Sequence, residues 1–414
     1  MRALSEAGAS TLLLLSSTIV CAGHPATARF VIHSKDGPLA PAEVVSLRDG
    51  WTMEPAGNDK PLAAADWIGC QQQGKARPAP PSDHFILLST GDRLPIKPGQ
   101  RPRLADGRLL FTPAPPLRSH GLEDLSIFAP YVAMLWLAAP DGVDDSALFL
   151  AKLQRDARQS DVVLLRNGDR IEGTVTALTV ADGCEILADG RKIVTPWPKL
   201  SGIAFATSSL ARPRPRKLYG LAVLAGGARL QLASLRYAAA DKEWSGRTTT
   251  GMEVAVATEG LVALDLLGGH ATYLSDMKPL VHAQTRYLGL RWPIGVDAAL
   301  DGRPLRIGAE VYDKGLSLHA QCRVTYRLGG DFRWFETVVG IDPAAGPKGR
   351  ARMIVLVDKK AYPLGEGKEQ MAEDAALPVR LDVRDAQELT LVVEYGSFAD
   401  VQSRVHWGAA RLLK

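Results

Sequence analysis

The sequence predicts an all-β protein: small β-barrel-like repeats followed by a C-terminal β-sandwich. Three observations lead there. Gly and Pro supply 66 of the 414 residues, above the average combined share of about 12%, so turns are frequent and long helices few. Short apolar runs alternate with turn pairs such as Asn167-Gly168, Gly226-Gly227 and Gly329-Gly330, a pattern that builds hairpins. A strand–turn–strand order also recurs along the first two-thirds of the chain. The near-balance of 49 basic and 45 acidic residues argues against a nucleic-acid partner.

At the N-terminus Arg2 precedes an apolar run from Thr11 to Ala22, and Ala26-Thr27-Ala28 fits the small-x-small rule for cleavage. Residues 1–28 therefore read as a signal peptide, with an uncleaved anchor as the alternative. Lipoprotein processing at Cys21 is disfavoured by the bulk of Val20. The expected location is secreted, periplasmic or cell-surface. No transmembrane segment is expected after cleavage, because no other apolar run reaches the roughly 18 residues of a spanning helix. Cys70, Cys184 and Cys322 remain, without C-x-x-C spacing. They read as buried small hydrophobes, not as zinc ligands or a disulfide framework.

Four β-repeats are expected: residues 29–75, 76–145, 161–210, and 211–284, the last including a linker. The third is the clearest. Asp161 to Leu165 leads through Asn167-Gly168 into a strand from Ile171, followed by turns at Asp182-Gly183 and Asp189-Gly190 and an apolar exit from Leu200 to Phe205. One copy buries too little surface to be secure alone. The copies could pack as SH3- or Sm-like barrels or as one continuous β-assembly. Their G-D-R-[IL] pattern resembles a β-repeat of exported Gram-negative proteins, to which no activity attaches. A linker helix is expected over 146–160, where Asp145 can cap Ser146 to Arg158 and Ala147, Leu150, Ala151 and Leu153 give an apolar face. Ala211 to Lys217, with alternating Arg and Pro, reads as a stiff extended linker.

From residue 285 to 414 the texture becomes that of one β-sandwich of short alternating strands. Three motifs stand in order: Tyr312-Asp313-Lys-Gly315-Leu-Ser-Leu-His319-Ala320, Phe335 to Gly340-Ile341-Asp342, and Trp407-Gly-Ala-Ala-Arg-Leu412. This third of the chain resembles the NPCBM family of carbohydrate-binding modules. The resemblance implies a galactose-binding-like jelly-roll fold and a glycan ligand. The family's last motif usually carries acidic residues around its Trp, whereas Arg404, Val405 and Ala409 stand here.

The candidate ligand-binding residues are Tyr312, Asp313, His319, Trp334, Asp342, His406 and Trp407. Sugar recognition needs aromatic platforms and fixed polar groups in a concave rim, and Trp292, Tyr312, Trp334, Tyr395 and Trp407 gather in this segment. Alternation puts Phe335, Thr337 and Val339 on one face as core, and Trp334 and Glu336 on the other. His319 either donates to a sugar hydroxyl or serves as a hydrogen-bonded structural residue; Trp407 either stacks on a sugar or packs in the core.

No G-x-S-x-G, H-E-x-x-H, P-loop, dinucleotide or calcium-loop pattern occurs. The expectation is a non-catalytic carbohydrate-binding protein with no cofactor and no metal. Its partner would be a cell-surface or extracellular glycan, with an envelope protein as a further possibility. The alternatives are a structural or protein-interaction module, and a glycan-processing enzyme using a cleft between repeats and sandwich.

Overall fold

Each of four segments begins and ends with strands that pair with each other. In the computed structural model, which describes residues 28–414 except 120, 214, 216, 286–288 and 290, the opening strands are Arg29–Ser34, Phe85–Leu88, Asp161–Leu165 and Tyr219–Leu224. The closing strands are Trp67–Gln72, Val132–Trp136, Leu200–Ala204 and Leu261–Leu267. Every opening strand runs antiparallel to its own closing strand. Residues 1–27 of the expected signal peptide, and two positions of the 211–217 linker, lie outside the described residues.

Closing strands then pair across segments, the outer two with each other and the inner two with each other. The first segment's joins the fourth's, with Leu264 opposite Cys70, and the second's joins the third's, with Leu135 opposite Ile203. Segments one and four go further. Ala42–Arg48 pairs with Arg29–Ser34 on one side and with Arg229–Ala238 on the other, which completes a ring of six antiparallel strands. Closure removes the unpaired sheet edges that each half would otherwise present. Segments two and three form an open array that touches the ring at Arg93 opposite Arg229 and at Leu117 opposite Val256. One apolar core runs through both assemblies, from Phe30, Trp67 and Trp244 to Ile86, Val163 and Ile203. Cys70, Cys184 and Cys322 are free and buried.

The helix spans Ser146–Arg155. Asp145 caps it as expected, its Oδ1 accepting the Leu148 N–H at 2.8 Å. It stops before Arg158 because Asp156 turns to extended backbone. The Arg158 guanidinium then donates to the carbonyl oxygens of Leu153 and Asp156, satisfying acceptors that a helix end leaves open.

The C-terminal unit is a two-layer antiparallel sandwich. One sheet orders Gly295–Val296, Gly315–His319, Arg404–Leu413, Trp334–Ile341 and Leu377–Asp382; the other orders Val281–Gln284, Cys322–Arg327, Glu388–Tyr395, Arg350–Val357 and Lys360–Pro363. Trp334–Ile341 alternates strictly, burying Phe335, Thr337, Val339 and Ile341. The sandwich begins before residue 285, because Val281–Gln284 pairs into it and Ala271–Tyr273 pairs with the end of Arg404–Leu413.

Sandwich and ring meet over an apolar patch of Ile68, Leu221, Leu267, Tyr273 and Leu413. Beside it Arg77 grips Asp265 with two hydrogen bonds of 2.6 and 2.8 Å, in a pair mostly withdrawn from water. A Cβ on Gly69 would lie 2.8 Å from Asp265 Oδ1, so the glycine leaves room for that carboxylate. Burial alone would raise the Asp265 pKa, but the Arg77 charge and hydrogen bonds outweigh it and hold the carboxyl below its usual range. Arg77→Met should therefore destabilise the fold by about 3–5 kcal/mol at pH 7, the cost of a stranded buried charge. The deficit should shrink towards pH 4, where the unpaired Asp265 takes up a proton; urea melts at both pH values read it.

Candidate functional site

The seven sequence candidates separate into four places. Trp407 is fully buried in the sandwich core. It has no face to offer a sugar, which corrects its assignment as a ligand residue: it occupies a central strand, flanked by Gly315–His319 and Trp334–Ile341. Trp334 packs against the ring-facing apolar patch, with the Arg380 and Arg333 guanidinium groups 4.5 and 5.4 Å from its ring centre. It is part of the joint between units instead of a platform on a rim. His319 is buried, stacked on Trp292 at 4.5 Å, with Nδ1 2.6 Å from the Ala320 carbonyl oxygen and 3.3 Å from Asp400. Burial lowers its pKa, and these contacts match the structural reading of this histidine.

Tyr312, Asp313 and Asp342 border a cleft where helix, repeats and sandwich meet, and His406 is fully buried behind Asp342. Asp342 and His406 come together from different strand ends. Asp342 Oδ1 accepts the Ala344 N–H at 2.9 Å, while Oδ2 lies 3.7 Å from His406 Nε2 and 3.5 Å from Arg404 Nε. His406 Nδ1 is anchored 2.8 Å from the Arg306 carbonyl oxygen. Burial pushes the His406 pKa down, with Asp342 opposing, so the ring is neutral at pH 7. Both Asp342 Oδ2 and His406 Nε2 are buried without a hydrogen-bond partner. Arg404, one of the residues that stand where the family carries acids, joins this cluster: it spans Asp301 and Asp342 and donates to the Ala344 carbonyl oxygen.

Asp342 lines a cavity of about 480 Å³ between the helix and the sandwich loops, with Arg93, Gln154, Arg303, Arg306 and Leu150. A second cavity of about 310 Å³ shares Arg93, Gln154 and Arg303 and adds Asp92, Arg229, Tyr312 and Asp313. Asp313 pairs with Arg229 at 2.7 Å. Tyr312 lies over Gly408, where a Cβ would come within 2.6 Å of its ring, and burial pushes its hydroxyl up to about 12. Both volumes fall within the range of small-ligand pockets, about 300–1,000 Å³.

Sequence reasoning missed Asp92, Arg93, Gln154 and Arg229 because they lie in the repeats and, for Gln154, in the helix, far along the chain from the sandwich motifs. The G-D-R pattern at Gly91-Asp92-Arg93 was the available signal. Among the described residues, no group of three or more His, Cys, Asp or Glu side chains could hold a metal ion, and no helix is long and apolar enough to cross a membrane.

Residues 270–413 match the NPCBM/NEW2 domain family. A Renibacterium salmoninarum protein named for endo-alpha-N-acetylgalactosaminidase activity is 41% identical over 64 residues, which is 16% of this chain and 4% of that protein. The chain thus spans a small fraction of that relative's length. A CBM51 module from Clostridium perfringens GH95, solved with methyl-galactose, is 23% identical and has a TM-score of 0.31, covering 34% of this chain and 99% of that one. CBM51-2 with the INT domains of Clostridium perfringens ZmpB, solved with GlcNAc, is 18% identical with a TM-score of 0.32, covering 58% and 43%.

Trp407→Ala should cost about 3–5 kcal/mol, as a buried aromatic truncation does, read as a fall in the urea midpoint. Asp92 is buried, and burial raises its carboxyl to about 8. An unfolded Asp titrates near 4. Between these pH values the folded chain holds a proton that the unfolded chain has lost, so stability falls as pH rises from about 4 to about 8. Asp92→Asn removes that penalty. It should raise Tm at pH 8 by at least about 3 °C, with the gain vanishing near pH 4.

Proposed function

We propose that this chain, whose residues 270–413 form an NPCBM/NEW2 domain, is an exported protein that binds a glycan in the junction cleft without cleaving it. The observation that carries the reading is the buried pair Asp342 Oδ2 and His406 Nε2, neither of them hydrogen-bonded, beside a cavity that Asp342 lines, with Arg404 Nε 3.5 Å from Oδ2 as its charge partner. Buried polar atoms are costly unless hydrogen-bonded, and sugar hydroxyls both donate and accept. Pro343, Leu150 and Val311 supply apolar wall for the C–H face of a ring.

The absence of cleavage is supported by how three carboxylates in and beside the cleft are engaged. Asp313 is held by Arg229, Asp297 by Lys314, and Asp301 by Arg303 and Arg404. Glycoside hydrolysis asks for an acid and a carboxylate free to exchange roles across the bond. Export is supported by the apolar run and the Ala26-Thr27-Ala28 signature at the N-terminus.

The test is a glycan array probed with the full chain, followed by calorimetry on the best glycan. Asp342→Asn keeps the acceptor for the Ala344 N–H but loses the charge. It should weaken binding by about tenfold or more, the worth of one charged hydrogen bond. Failure to bind any neutral or acidic glycan refutes the reading.

A further inference from the structure

We propose that the glycan taken by the junction cleft is acidic, with a sugar carboxylate held by the Arg93 guanidinium. This rests on the carbohydrate reading of the cleft and names the ligand class. Arg93 lines both cavities above and a third, of about 400 Å³, that also contains Arg158 and Arg212. It is the one side chain besides Gln154 common to all three.

Its own partners do not neutralise it. The guanidinium lies 5.3 Å from the Phe85 ring centre and reaches Gln154 Oε1 only at 3.5 Å. Among the described residues no carboxylate forms an ion pair with it. Its cross-strand neighbour is another cation, Arg229, and like charges in that position are destabilising. Asp313, whose charge acts on Arg93, is taken by Arg229, which also donates to the Gly227 and Pro78 carbonyl oxygens.

Asp92, next in sequence, does not supply the missing charge. It is buried, forms no ion pair among the described residues, accepts a hydrogen bond from the Gln231 N–H at 3.1 Å, and with burial raising its carboxyl to about 8 stays protonated at neutral pH. Burial and the Arg229 charge lower the Arg93 pKa to about 10, with the Asp313 charge opposing, which leaves it charged at pH 7. Asp92 Oδ2 and Gln154 Nε2, from residues that line a cavity with Arg93, are buried without a hydrogen-bond partner. A guanidinium fork matches a planar carboxylate with two parallel hydrogen bonds. A carboxyl-bearing sugar would meet Arg93 with its acid and these polar atoms with its hydroxyls.

The experiment is calorimetry on the full chain with matched probes: tri-galacturonate against its carboxyl-reduced neutral trimer, sialyllactose against lactose, and a sulfated galactose. At least one carboxylate probe should bind tenfold or more tightly than its neutral match, and the preference should weaken between 50 and 200 mM salt. The two carboxylate arms separate uronate from sialate. Arg93→Gln should collapse the ratio of acidic to neutral affinity towards one. Arg93→Lys, which keeps the charge but not the fork, should retain part of it and serves if the Gln variant misfolds. Equal affinity for acidic and neutral partners, binding of the sulfated probe alone, or a ratio unchanged in Arg93→Gln overturns the acidic-ligand inference and leaves the carbohydrate reading standing. Binding of no probe overturns both.

Discussion

The pairing of Trp67–Gln72 with Leu261–Leu267 is the constraint on which the rest of the molecule depends. It closes the ring, and Arg77 and Asp265, 188 residues apart in the chain, lie against it. The pair is mostly buried, so its charges are stabilising only while both are present. Gly69 makes the geometry possible by leaving the Asp265 carboxylate its space. With the first and fourth segments committed to each other, the second and third leave the ring together and return together. That arrangement brings Gly91-Asp92-Arg93 against Arg229 and the helix against the sandwich.

The sandwich is fastened to this frame by charge as well as by apolar contact. Arg229 reaches Asp313, Arg303 reaches Asp145 at the helix start, and Arg155 donates to the carbonyl oxygens of Leu300 and Ala299. These contacts surround the cleft. The groups that position the units are therefore the groups that line the candidate site, and small changes in docking would alter its shape. An Arg without an acid partner stands out in such a setting, because the charges beside it, Arg229 and Asp313, are matched to each other.

The strands were legible because their signal is local. Alternation in Trp334–Ile341 and the Asn167-Gly168 turn each act within a few residues, and the Asp145 cap needs only the next helical turn. The candidate site was legible in part. Asp342 and His406 were identified from motifs and do meet in space. Tyr312 and Asp313 line the cleft, although they are engaged by Gly408 and Arg229. Trp334 and Trp407 were read as aromatic platforms because a sequence cannot say which side of a tryptophan another layer will cover. Here the ring covers the first and the two sheets bury the second.

By itself the sequence determined the all-β class, the recurring strand–turn unit, the capped helix and the sandwich with its three motifs. Turn residues and short-period patterning suffice for these, and both are written within a few neighbouring positions. Only the tertiary structure decided which segments pair, that the first and fourth close one ring, and that residues from repeats, helix and sandwich share one cleft. Those outcomes follow from which strand edges and which buried charges find partners far along the chain, and no local pattern encodes that choice.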